Sequence, residues 1–205
     1  MTQMNKSFNN VQDKQVVLEK IAKEIENCAV CKENKSGVAV PGEGNSDADV
    51  VFIGEAPGKQ EAVSGRPFIG RSGQLLRSFI RGIGLDDVKD VYITSPVKYL
   101  PNGKDGTPGG TPTSQDIAHG RTHLMKQLAV IQPKFVVLLG RVAAEGVLQS
   151  RIQVTKQHGE IIQEENGIKY FLTYHPAAVL RFPGKFKKLM QEDFEKIKEL
   201  LSYSS

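Results

Sequence analysis

Four short runs in this chain are almost wholly apolar: Val50-Val51-Phe52-Ile53, Val91-Tyr92-Ile93-Thr94, Phe135-Val136-Val137-Leu138-Leu139 and Tyr170-Phe171-Leu172-Thr173-Tyr174. None alternates with polar residues, as a strand with one face in water would. Such runs fit strands of a parallel sheet, covered on both faces. The segments between them repeat apolar residues at helical spacing. Val17, Leu18, Ile21 and Ile25 do so between Asp13 and Asn27. Leu75, Leu76, Phe79, Ile80 and Ile83 mark a second helix that stops at Gly82 or Gly84. Thr113 and Asp116 read as a capping box opening a third, which runs to about Gln132 with Ile117, Leu124, Leu128 and Ile131 as its stripe. A short helix from Ala143 to Leu148 and a basic one from about Lys185 follow, while Val154 to Ile162 reads as irregular or as a short hairpin. Alternating strands and helices predict a three-layer α/β/α sandwich around a mainly parallel four-stranded sheet. Residues 1–12 are polar and read as a frayed terminus, leaving 13–205 as one domain.

In open sheets of this kind the site lies beyond the carboxyl ends of the strands. Three loops leave such ends: Gly54-Glu55-Ala56-Pro57-Gly58, Ser95-Pro96-Val97-Lys98 and His175-Pro176-Ala177-Ala178-Val179-Leu180-Arg181. They are expected to converge, bringing a carboxylate, a hydroxyl and an imidazole together. Phe68 sits in a loop punctuated by glycine and proline, where an aromatic ring is not obviously core. The segment GEAPGKQE matches neither GxGxxG nor GxxxxGK[ST], so neither of those phosphate cradles is specified. A net charge of +4 suits a polyanionic partner without proving one. No stretch approaches the roughly 18–20 apolar residues of a membrane span, and the N-terminus lacks the apolar core of a signal peptide. The expectation is a soluble cytoplasmic protein without a membrane partner, monomeric because no heptad or apolar edge signals assembly.

Taken in order, Gly54–Gly58 with Glu61, Gly65-Arg66-Pro67-Phe68-Ile69-Gly70, Gly73-Gln74-Leu75-Leu76, Ile93–Lys98, Leu138-Leu139-Gly140 and His175–Arg181 resemble the uracil-DNA glycosylase superfamily, closest to its family-4 branch. The resemblance runs from Cys28 to the C-terminus. It implies an enzyme of base-excision repair that flips uracil from DNA, cleaves its glycosidic bond, and acts at the nucleoid. It implies that Phe68 stacks on the base, that His175 donates a hydrogen bond to the base oxygen O2, and that Gly54, Glu55 and Ala56 line the pocket. Glu55 or Glu61 would position the attacking water. Leu180 and Arg181 would enter the minor groove. Arg66, Arg71, Lys98 and Lys185, with Lys187 and Lys188, would contact phosphates.

Two departures from the family pattern bear on that expectation. Ser95 stands where the family carries an asparagine that reads the uracil edge. Hypoxanthine, xanthine or another deaminated base is therefore an alternative substrate, and a weak or non-catalytic DNA-binding homologue an alternative role. The family also holds a [4Fe–4S] cluster on four cysteines, a structural group not needed for catalysis. Here only Cys28 and Cys31 remain; the third position falls at Tyr99 and the fourth at Gly120. The cluster is then absent with Tyr99 in its space, the favoured reading, or replaced by zinc on Cys28, Cys31, His119 and His123, or completed by outside ligands. Against zinc, the two histidines fall opposite the apolar stripe of their helix and read as solvated. The loop after the second strand holds no histidine, so covalent capture of the sugar is not expected.

Overall fold

The computed structural model describes residues 11–202. The helices are α1 (Val11–Asn27), α2 (Ala29–Lys32), α3 (Glu61–Ser64), α4 (Arg71–Gly82), α5 (Ser114–Ile131), α6 (Gly140–Leu148), α7 (Val154–Gln157), α8 (Pro176–Arg181) and α9 (Pro183–Ser202). The strands are β1 (Lys35–Ser36), β2 (Glu43–Gly44), β3 (Val50–Ile53), β4 (Val91–Thr94), β5 (Leu100–Pro101), β6 (Phe135–Leu139), β7 (Glu160–Glu165) and β8 (Ile168–Thr173). Of the terminus expected to fray, residues 11 and 12 already belong to α1; the remainder lies outside the described residues.

The four apolar runs form the parallel centre of the sheet, in the order β4-β3-β6-β8. The sheet has six strands rather than four, because an antiparallel strand closes each edge: β2 beside β4, and β7 beside β8. Both lacked an apolar signature, as edge strands do. The β7–β8 hairpin did carry a turn signal, Asn166-Gly167, whose positive φ values of 53° and 80° fit a type I′ turn.

Alternate residues of each central strand face opposite layers. Val51, Ile53, Val136, Leu138 and Leu172 pack with Leu18, Ile21 and Ile25 of α1 and Leu124 and Leu128 of α5. Val50, Phe52, Val137, Leu139 and Phe171 pack with Leu76 and Ile80 of α4 and Met190, Phe194 and Ile197 of α9. The capping box of α5 forms as the sequence predicts: Asp116 N donates to Thr113 Oγ1 at 3.1 Å and Thr113 N to Asp116 Oδ2 at 2.8 Å. The buried arc of α5 is wider than its apolar stripe, since Gly120, His123 and Gln127 form a second buried row.

Candidate active site

The three loops converge at the carboxyl ends of β3, β4 and β8. They enclose a cavity of about 400 Å3 lined by Glu55, Ala56, Glu61, Phe68, Ser95 and His175, among others.

His175 follows β8 and is the N-cap of α8. Its Nδ1 accepts a hydrogen bond from Ala177 N at 3.1 Å. Desolvation by burial pushes the imidazole down to about 4, so it is neutral near pH 7. A neutral ring whose Nδ1 accepts must carry its proton on Nε2. The site therefore contains an imidazole N–H donor that needs no ionisation.

Phe68 is held in a costly conformation. Its φ is 51°, in the left-handed region that a bulky side chain rarely adopts. Its ring lies 5.9 Å from that of His175, tilted by 38°. Gly54 makes room for it: a Cβ there would stand 2.6 Å from Phe68 Cε2. The Phe68 backbone is braced by Arg77, a residue the sequence reading passed over as part of a helix. Arg77 is buried; its Nε donates to Phe68 O and its Nη2 to Pro67 O, each at 3.0 Å. The same guanidinium pairs with Glu43 and, at 2.9 Å, with Asp87. An arginine on the buried face of an amphipathic helix was the available signal.

The two loop glutamates differ. Glu61 is buried, and its Oε1 accepts from Ile69 N at 2.9 Å and Gly70 N at 2.8 Å. It pins the loop that carries Phe68. Glu55 is half-buried; burial raises its carboxyl above the usual range, and the Arg141 guanidinium partly offsets that. Ser95 is buried, and its hydroxyl donates to Val97 O at 2.8 Å, which leaves the oxygen lone pairs for the cavity.

The cations expected to meet phosphate do not share one fate. Arg66, Arg71, Arg181 and Lys185 are exposed, Arg66 with its Nε donating to Glu43 at 2.8 Å. Leu180 is exposed on α8, and next to it Phe182, missed in the sequence, is more exposed still. Lys98 is a correction: only 1% of it is exposed. Its Nζ donates to Thr94 Oγ1, Gln127 Oε1 and Pro41 O at 2.8, 2.7 and 3.0 Å, so it ties the end of β4 to α5 and cannot reach a phosphate. Lys59, exposed on the cavity wall, is a cation the sequence reading did not single out.

The histidines of α5 are a second correction. Neither is a freely solvated side chain. His123 is buried, with no hydrogen-bond partner for either ring nitrogen among the described residues, and His119 Nε2 lies 3.1 Å from Cys28 Sγ. Cys28, Cys31, His119 and His123 place one ligand atom each within 4.8 Å of one another, a group suited to a metal ion. The apolar stripe misled because α5 is covered along a second face, where the α1–α2 junction packs. Tyr99 is buried in the same apolar cluster as Cys31, with its hydroxyl donating to Glu26 O at 3.3 Å.

A cavity with an aromatic ring, a neutral N–H donor, a buried hydroxyl and a carboxylate, at the carboxyl ends of a parallel sheet, defines an α/β protein suited to hold a polar heterocyclic ring. The chain belongs to the uracil-DNA glycosylase superfamily: the family described as Uracil DNA glycosylase superfamily matches residues 41–201. It is 36% identical over 192 residues to a Type-4 uracil-DNA glycosylase of Archaeoglobus fulgidus, covering 89% of this chain and 92% of that protein. It is 38% identical to the Type-4 enzyme of Sulfurisphaera tokodaii, over 89% of this chain and 84% of that one. With the Type-4 enzyme of Thermotoga maritima it shares 34% identity over 90% of this chain and 95% of the other. Among the described residues, no helix is long and apolar enough to cross a membrane.

Proposed function

We propose that this chain is a DNA glycosylase of base-excision repair that draws uracil from DNA into the cavity and hydrolyses its N-glycosidic bond, leaving an abasic site. The observation that carries the reading is the hydrogen bond from Ala177 N to His175 Nδ1, which leaves Nε2 to hold the proton of the neutral ring and to donate into the cavity. As the N1–C1′ bond breaks, its electron pair passes into the uracil ring and charge collects on O2. A fixed donor at that oxygen favours the transition state over the ground state. Phe68 supplies the stacking face. Glu55, ionised, orients water toward C1′ and takes its proton. Glu61 serves as a brace for the loop, since backbone N–H groups already occupy one of its oxygens. Exposed Leu180 and Phe182, with Arg181, fill the gap the base leaves in the duplex, and Arg66, Arg71, Lys59 and Lys185 meet phosphates.

Ser95 supports a second reading of the substrate. With its proton committed to Val97 O, its oxygen accepts from a ring N–H. Uracil offers one at N3, but hypoxanthine and xanthine also present a lactam N–H. Cytosine presents an acceptor at N3 and is refused unless the Val97 bond is given up.

The test is abasic-site formation on labelled oligonucleotides bearing uracil (single-stranded, opposite G, opposite A), hypoxanthine or xanthine, with His175→Ala as control. Release of uracil that the control loses supports the reading. Release of hypoxanthine alone reassigns the substrate to Ser95. Binding of every oligonucleotide without product makes the chain a DNA-binding module instead.

A further inference from the structure

We propose that Cys28, Cys31, His119 and His123 bind one zinc ion in a closed tetrahedral site, in place of an iron–sulfur cluster. The two positions that would complete the cluster's cysteines hold Tyr99 and Gly120. Tyr99 is buried and offers a phenol already committed to Glu26 O. At Gly120 any side chain is refused, because a Cβ there would run into the backbone carbonyl oxygen of Pro96. The remaining donors are also too close together. Each terminal ligand of a cubane holds a different iron, which spreads the four across the cluster. Here every ligand atom lies within 4.8 Å of the other three.

That spacing is the scale of a single ion. With zinc bonds of about 2.3 Å to sulfur and about 2.0–2.1 Å to nitrogen, donor atoms around a tetrahedron stand about 3.3–3.8 Å apart. Cys28 Sγ and His119 Nε2 already stand at 3.1 Å. His123 supplies an independent sign of a ligand. A buried imidazole with both nitrogens unpartnered has lost its hydration, and no group among the described residues replaces it. A bond to zinc would use one nitrogen. Two thiolates and a dication sum to no net charge, which suits this half-buried position.

The backbone explains how the donors meet. Cys28 caps α2, and its sulfur accepts from Cys31 N at 3.4 Å, which turns both thiols to one side. His119 and His123 are one turn apart on α5, flanking the glycine where a cysteine cannot fit. All four positions are filled by protein, so the ion is structural rather than catalytic. It would staple α2 to α5 across the stretch of chain that carries Glu55, Phe68 and Ser95.

The test uses the full chain, purified without chelator from medium supplying both iron and zinc. We expect about one zinc per chain by mass spectrometry of the metal content, no acid-labile sulfide and no brown visible absorbance. Zinc should fall to trace in His123→Ala and persist in His123→Cys, which keeps a four-ligand set. Should His123→Ala fail to fold, cobalt exchanged into the unaltered chain decides the matter: a tetrahedral site gives intense ligand-field bands with thiolate charge transfer, and a weak octahedral spectrum overturns the proposal. Iron with labile sulfide, or a folded His123→Ala and a folded His119→Ala that both keep their zinc, overturns it as well.

Discussion

His175 does two jobs through its two nitrogens, and two substitutions separate them. Nδ1 accepts from Ala177 N and so caps α8; in the proposed reaction Nε2–H donates to the base. His175→Ala removes both functions. Loss of a donor aimed at a developing oxyanion costs about 100- to 1,000-fold in rate, or about 2.7–4 kcal/mol. Loss of an N-cap costs about 1 kcal/mol of stability, which for a chain of this size lowers Tm by about 2–4 °C. His175→Asn restores the cap, because asparagine is a favoured N-cap residue, but its short amide ends before the position of Nε2. Single-turnover excision of uracil and thermal unfolding should therefore part company. Both variants should lose about two to three orders of magnitude in rate, and only His175→Ala should melt earlier. Excision by His175→Asn within a fewfold of the parent would refute the donor role. An unchanged Tm in His175→Ala would refute the capping role.

Arg77→Leu should destabilise the chain by about 3 kcal/mol in urea unfolding, at the lower end for a broken buried pair because Glu43 and Asp87 keep some contact with water; it should also weaken excision by releasing the Phe68 backbone. Gly54→Ala should cost about 1–3 kcal/mol of stability or push the Phe68 ring out of place, read as a lowered Tm or a raised KM for uracil-containing DNA. Arg141→Ala should move the acidic limb of the kcat/KM profile to higher pH. Glu55 must be ionised to act, Arg141 favours that ionised form, and its removal adds to the rise that burial already causes; a limb that stays in place would assign it to another group.

Much of this architecture could be read from residues alone, because burial on both faces leaves an unbroken apolar run wherever a central strand lies. The edge strands β2 and β7 left no such trace: the stretch Val154 to Ile162, read as irregular or as a short hairpin, is α7 followed by the start of β7, and the Asn166-Gly167 turn was the signal passed over. Glu55, Ser95 and His175 were legible as loop residues at strand ends and Phe68 as an aromatic ring in a loop punctuated by glycine and proline, and the fold places all four around one cavity. Lys98 was misread because a lysine in a loop is ordinarily solvated, whereas this one meets three oxygens inside the protein. His119 and His123 were misread because one stripe of apolar residues was taken as the whole buried face of α5. Arg77 went unnoticed since its partners, Pro67, Phe68, Glu43 and Asp87, belong to loops and an edge strand that periodicity does not place.

The order of the strands has a consequence for how the protein is made. β3 lies at the middle of the sheet, yet its neighbour β6 is translated long after it, and β8 later still. A nascent chain that has emerged only through β6 has Glu55, Phe68 and Ser95 but neither the imidazole nor the helix that follows it. It also shows one uncovered strand margin, β6, whose five residues are all buried in the finished protein. Such a margin is adhesive, and pairings between distant parts of a chain form slowly. The pocket thus cannot be complete until β8 has been made, because the strand that covers the β6 margin is also the one that leads into His175.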